Sequence, residues 1–130
     1  MKKRMLLSAI LFGVCLWADS AGERASTSWQ FNGHGWLTMT PPQKLSYLRG
    51  MYDGLSLGQE AGGLIAKAPM QGMTFGEIRT ALDAFYADAS NVRIPVLFAH
   101  VWLKHKVGGA SPQELDAEAA KFRRMFANGR

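Results

Sequence analysis

The sequence predicts an all-α fold: a small single-domain bundle of about four helices with an irregular, aromatic N-terminal segment. Three observations predict it. Helix-start signals recur along the chain, the apolar residues behind them repeat with the 3.6-residue helical period, and no run of useful length alternates as a strand would. No repeat of 20 to 50 residues is present.

The chain opens on Met1-Lys2-Lys3-Arg4 and an unbroken apolar run from Met5 to Ala18, with small residues at Ala18, Ser20 and Ala21. Positive charge, apolar stretch and small-residue cleavage site in that order form an export signal. The run is shorter than the roughly 20 residues a membrane-spanning helix needs. The expectation is therefore a signal peptide over 1–20, one helical domain over 21–130, a periplasmic location and no membrane span. Residues 21–34 are expected to be flexible, polar from Glu23 to Ser28 and then rich in glycine and aromatics. No helical period fits Trp29, Phe31, Gly33, His34, Gly35 and Trp36, so an irregular segment that docks its tryptophans on the bundle is expected.

Three helix starts are marked by Ser or Thr three residues ahead of Glu or Gln: Thr40 with Gln43, Thr74 with Glu77, and Ser111 with Glu114. In such a capping box the hydroxyl accepts from a free backbone N–H and the longer side chain reaches back to the cap. Pro41 and Pro112 stand at first helical positions, where a missing N–H costs nothing. A fourth start lies at Asn91, which can cap, or at Pro95, which strains Ile94 out of the helical region. Leu45, Leu48, Tyr52 and Leu55 form the stripe of the first helix, Phe75, Ile78, Leu82 and Phe85 that of the second, and Leu115, Ala119, Phe122 and Phe126 that of the fourth. The third, through Val96, Leu97, Phe98, Val101, Trp102, Leu103 and Val107, is apolar nearly all round and reads as the central element, with Gly108-Gly109 as its stop. Residues 62–72 form the loop between the first two helices.

Composition narrows function. The chain has 15 Lys and Arg against 10 Asp and Glu, but Lys2, Lys3, Arg4 and Asp19 belong to the leader, leaving 12 against 9. Nucleic-acid binding wants a concentrated basic face, and Lys121, Arg123 and Arg124 read instead as cations complementing a helix dipole. Cys15 is the one cysteine. It lies inside the leader, so cleavage removes any disulfide, thiol nucleophile or cysteine metal site. A lipid anchor through Cys15 is the alternative, although Phe12-Gly13-Val14 matches the usual acylation pattern poorly.

Gly50, Gly54, Gly58 and Gly62 recur every four residues in and beyond the first helix. Each costs roughly 1 kcal/mol against alanine in a helix interior, so close approach by another segment is expected. The aromatic residues 29–36 or a second protein chain would supply it, unless the helix simply ends near Gly58. His100 and His105 are five apart, unlike the four-residue spacing of helical zinc ligands, and His100 reads as a hydrogen-bonded core or boundary residue. His34, between two glycines, suits a loop-borne ligand contact. Met39, Met51, Met70, Met73 and Met125 are dispersed, as gap-filling core residues are. No nucleophile with a base and no paired carboxylates stand out. The polar cluster Tyr86, Asp88, Asn91 and Arg93 is the best candidate site by composition, although a helix end joined to a helix start explains the same residues.

Gly35-Trp36, Lys44, Tyr47, Gly50, Gly54, Phe85-Tyr86-Ala87-Asp88, Asn91 and Ile94-Pro95 resemble a group of small exported bacterial proteins that mostly lack an assigned activity. More distantly, the glycine-bearing first helix, Gly72-Met73-Thr74 and the helix after Ile94-Pro95 are similar to the Tai-type immunity proteins, helical periplasmic proteins that block peptidoglycan amidases injected by type VI secretion. Those proteins commonly carry a cysteine pair, which this chain lacks after residue 20. An export signal, a packed scaffold and no catalytic grouping lead to the expectation of a non-enzymatic protein that binds a macromolecule, either another protein, for which the resemblance implies a peptidoglycan hydrolase, or another copy of itself. Trp36, Gly50, Gly54, Gly58, Tyr86, Asp88, Asn91 and Arg93 are the candidate interaction residues, with no cofactor, no metal and no nucleic acid expected. The alternative is a small-ligand or metal carrier built on His34 and the neighbouring tryptophans.

Overall fold

The computed structural model describes residues 31–60, 70 and 72–128. The expected leader over 1–20, Cys15, Trp29, Gly62 and most of the loop expected over 62–72 lie outside them. The described residues form five helices and no strand: α1 (Gly33–Thr38), α2 (Pro41–Glu60), α3 (Phe75–Ala87), α4 (Val96–Val107) and α5 (Pro112–Met125), with a 3-10 turn over Ala89–Asn91 between α3 and α4. The all-α bundle follows the sequence pattern closely. Thr74 and Ser111 each close a full capping box with Glu77 and Glu114. At Thr40 the Gln43 side-chain carbonyl accepts both the backbone N–H and the hydroxyl.

Two features differ from expectation. Residues 33–38 are helical rather than irregular, and they begin inside the stretch expected to be flexible. Asn32 caps this helix by accepting from the His34 N–H at 3.0 Å. Six residues are too few to carry a legible apolar period, and isolated helices of that length are unstable; this one is held by what Trp36 docks into. The second difference is the centre of the bundle. As its composition implies, α4 holds the most buried residues of the described helices, Val96, Leu97, Ala99, His100 and Leu103, but it is α3 that packs against α1, α2 and α4 together. Phe98 of α4 lies against two α5 rings, Phe122 at 5.2 Å and Phe126 at 4.9 Å, and Val107 is exposed.

The start of α4 falls at the proline: Pro95 is its N-cap, while Asn91 belongs to the 3-10 turn. Extended backbone at Asn32 and an extended ψ of 146° at Pro95 let the two form an isolated antiparallel bridge. The helix ends at Gly108 and Gly109, and Gly109 takes the left-handed conformation (φ +90°) that favours glycine. Leu48, Tyr52, Ile78, Leu82, Phe85, Leu103, Ala119 and Phe122 line the core with Trp36. These are the stripes the spacing marks, apart from Leu115, which is buried outside this cluster, and the outer members Leu45, Leu55, Phe75 and Phe126, which are half-buried.

Candidate functional site

The exposed side of α2 follows from its own periodicity. With Leu48 and Tyr52 turned inward, roughly 100° per residue carries Gly50 and Gly54 far round the helix, and both are exposed together with Gly58. A Cβ built on any of the three meets nothing within 4 Å. The aromatic segment therefore does not cover the glycines among the described residues. It packs instead where it finds rings and a hydrogen-bond acceptor: Phe31 against Tyr47 at 4.6 Å, Trp36 edge-on to Tyr47 at 6.3 Å, and Gly33 against Tyr86. Beside the glycines Leu57 is 67% exposed, the most open large apolar side chain among the described residues. The result is a smooth, side-chain-poor face with one apolar knob.

Trp36 is fully buried, and its placement reveals a cluster that sequence spacing did not. The indole N–H donates to Asp83 Oδ1 at 2.8 Å, and Lys44 Nζ meets the same oxygen at 2.7 Å while lying 5.2 Å from the Trp36 ring centre. Three elements thus converge on one carboxylate of α3. Lys44 is buried, and a buried ammonium needs such pairing to be tolerated. Lys44 stands out in the resemblance, but Asp83 has no local signal, because the two are 39 residues apart.

The turn after α3 is a self-contained bracket. Asp88 Oδ1 accepts from the Ser90 backbone N–H at 2.9 Å and its hydroxyl at 2.7 Å. Those bonds, and secondarily the Arg123 guanidinium, hold the Asp88 carboxyl below the usual carboxylate range. Arg123 donates to Ser90 Oγ at 2.7 Å, and Arg93 donates to the Ala127 carbonyl. Asn91 is buried and gives its Nδ2 to the Phe85 carbonyl at 2.9 Å. Tyr86, also buried, donates to the Ile94 carbonyl at 2.9 Å, and burial pushes its phenol far up. Of the four residues of this cluster, Asp88 and Arg93 are at the surface and Tyr86 and Asn91 are inside. Their hydrogen bonds join a helix end to the next helix start and tie the turn to α5.

His100 is 5% exposed and bonded through Nε2 to the Tyr52 hydroxyl at 2.7 Å. Burial, with the Lys104 charge as a smaller cause, pulls its pKa down to about 4. His105 pairs through Nδ1 with Glu118 at 2.9 Å on the surface, and His34 is exposed. No group of three or more His, Cys, Asp or Glu side chains able to hold a metal comes together among the described residues. Nor is any described helix long and apolar enough to cross a membrane.

No family model, curated protein or solved structure matches this chain.

Proposed function

We propose that the chain is an exported, non-enzymatic helical protein that acts by binding another protein through the exposed glycine face of α2. The observation that carries this reading is the open stripe of Gly50, Gly54 and Gly58. Three glycines weaken a helix by roughly 1 kcal/mol each, and nothing among the described residues packs on them in return. A partner backbone or flat side chain lying close along α2 supplies that compensation, with Leu57 as an anchor. The sharpest version, drawn from the resemblance, is immunity-like inhibition of a cell-wall amidase in the periplasm.

The test is muropeptide release by purified peptidoglycan amidases, with and without the mature chain. Inhibition that Gly54→Leu abolishes without lowering helix content supports the reading. Inhibition indifferent to Gly54→Leu removes the glycine face from it, and failure to bind or inhibit any amidase removes the immunity version.

A further inference from the structure

Residues 31–39 are held to the bundle by the fully buried Trp36 ring, by Phe31 packed on the core and by a few polar fastenings, and one of their contacts opposes docking. The fastenings are the Val96 N–H donating to the Phe31 carbonyl at 2.9 Å, the bridge between Asn32 and Pro95, and the Trp36 indole on Asp83. Gly33 sits so close that a Cβ there would lie 2.5 Å from the Tyr86 ring and 2.8 Å from Val92 Cα. Against these stands Tyr47. Its ring lies against Phe31 and Trp36, and its hydroxyl is shut away from solvent with no hydrogen-bond partner among the described residues.

Dehydrating a hydroxyl without replacing its bond disfavours the docked form by roughly five- to a hundredfold. The Lys44 ammonium is also taken out of water by docking, and it must share Asp83 Oδ1 with the indole. Undocking returns water to both groups while α2, α3, α4 and α5 keep the packing they make with one another. The hinge is already present, since Met39 leaves the helical region (φ −77°, ψ 142°) between α1 and α2.

We infer that residues 31–39 form a strap that opens as a unit about Met39 and Thr40, ahead of the helices beneath it, bringing Trp36 to the surface and uncovering Tyr47. The device is independent of the glycine face and stands whether or not that face binds a partner. Val96 offers a diagnostic: its amide belongs to α4 by position, yet its hydrogen bond crosses to the strap.

Native-state hydrogen exchange on the mature chain, followed by NMR, tests the proposal. The Trp36 indole N–H, bonded across to Asp83, and the Val96 amide, bonded across to Phe31, are expected to share one opening constant, at least on the order of tenfold larger than that of the Leu82 and Phe85 amides inside α3. Tyr47→Phe, which removes the dehydrated hydroxyl and no hydrogen bond, should lower the opening constant of both reporters about fivefold or more. Asp83→Asn, which unpairs Lys44, should raise it. Exchange of Trp36 and Val96 together with Leu82 overturns the proposal, as does Tyr47→Phe leaving their exchange unchanged or faster. The tyrosine variant decides the matter even if Asp83→Asn fails to fold.

Discussion

At the scale of single residues, His100 makes the most readable prediction because it is buried neutral. Its pKa is about 4 in the fold against 6.5 for a free imidazole, so the unfolded chain takes up a proton in a range where the native chain does not. Stability then rises with pH across that range, by linkage. The contribution is complete above pH 6.5 and is lost as pH falls toward 4, in total roughly 3 kcal/mol for a displacement of that size. The carboxyls of Glu77, Asp88 and Glu114, all held low by cap or turn hydrogen bonds, lose their contributions only at lower pH. Urea denaturation midpoints between pH 7 and 5 should therefore fall in the parent and stay nearly flat in His100→Gln; a parallel fall in the variant would refute the assignment. That His100 is a core residue was legible from its place on the most apolar helix. What it bonds was not, since Tyr52 lies 48 residues away. Tyr86 and Asn91 teach the converse: polar or amphipathic groups at a turn look like a surface site in one dimension, yet here they are the turn's internal fastenings, and Trp36 is likewise buried, on Asp83 of α3.

Among the elements, the legible ones are those whose signals are local. A hydroxyl three residues ahead of a carboxylate, at the head of an amphipathic stretch, marks a helix start, and at Thr74 and Ser111 it does so in full. Proline at Pro95 ends the ambiguity with Asn91 through a steric effect on its own neighbour. The short α1 carries no such signal because its stability is tertiary, resting on Trp36 and a single cap. The glycine spacing of α2 was equally visible, but whether anything packs on it depends on the route of a distant segment. That exposure makes a direct prediction. Gly50→Ala and Gly54→Ala add a methyl into open space and remove the excess backbone freedom of glycine, so each should raise stability by about 0.5–1 kcal/mol. Thermal unfolding of the two single variants checks this, and a loss of stability in either would mean that the α2 face is already occupied within the chain.

For the whole molecule, the absence of cysteine after residue 20 leaves packing and hydrogen bonds to hold five helices together. A chain of this size has a net stability of only about 5–15 kcal/mol, so the kind of contact that fastens α5 matters. Two kinds compete. Arg123 ties α5 to the 3-10 turn by a hydrogen bond to Ser90 and a 3.7 Å approach to Asp88, all near the surface. Phe122 is buried and stacks edge-on against Phe98 of α4. Surface ion pairs contribute about 0–1 kcal/mol, because water screens them and two long side chains must be ordered. Truncating a buried phenylalanine costs about 3–5 kcal/mol through lost transfer energy and the cavity left behind. Arg123→Ala should thus move the urea midpoint only slightly, whereas Phe122→Ala should remove a large fraction of the total stability. Comparable losses in the two variants would show that the polar bracket from Asp88 to Arg123, rather than the aromatic seam between α4 and α5, closes the bundle.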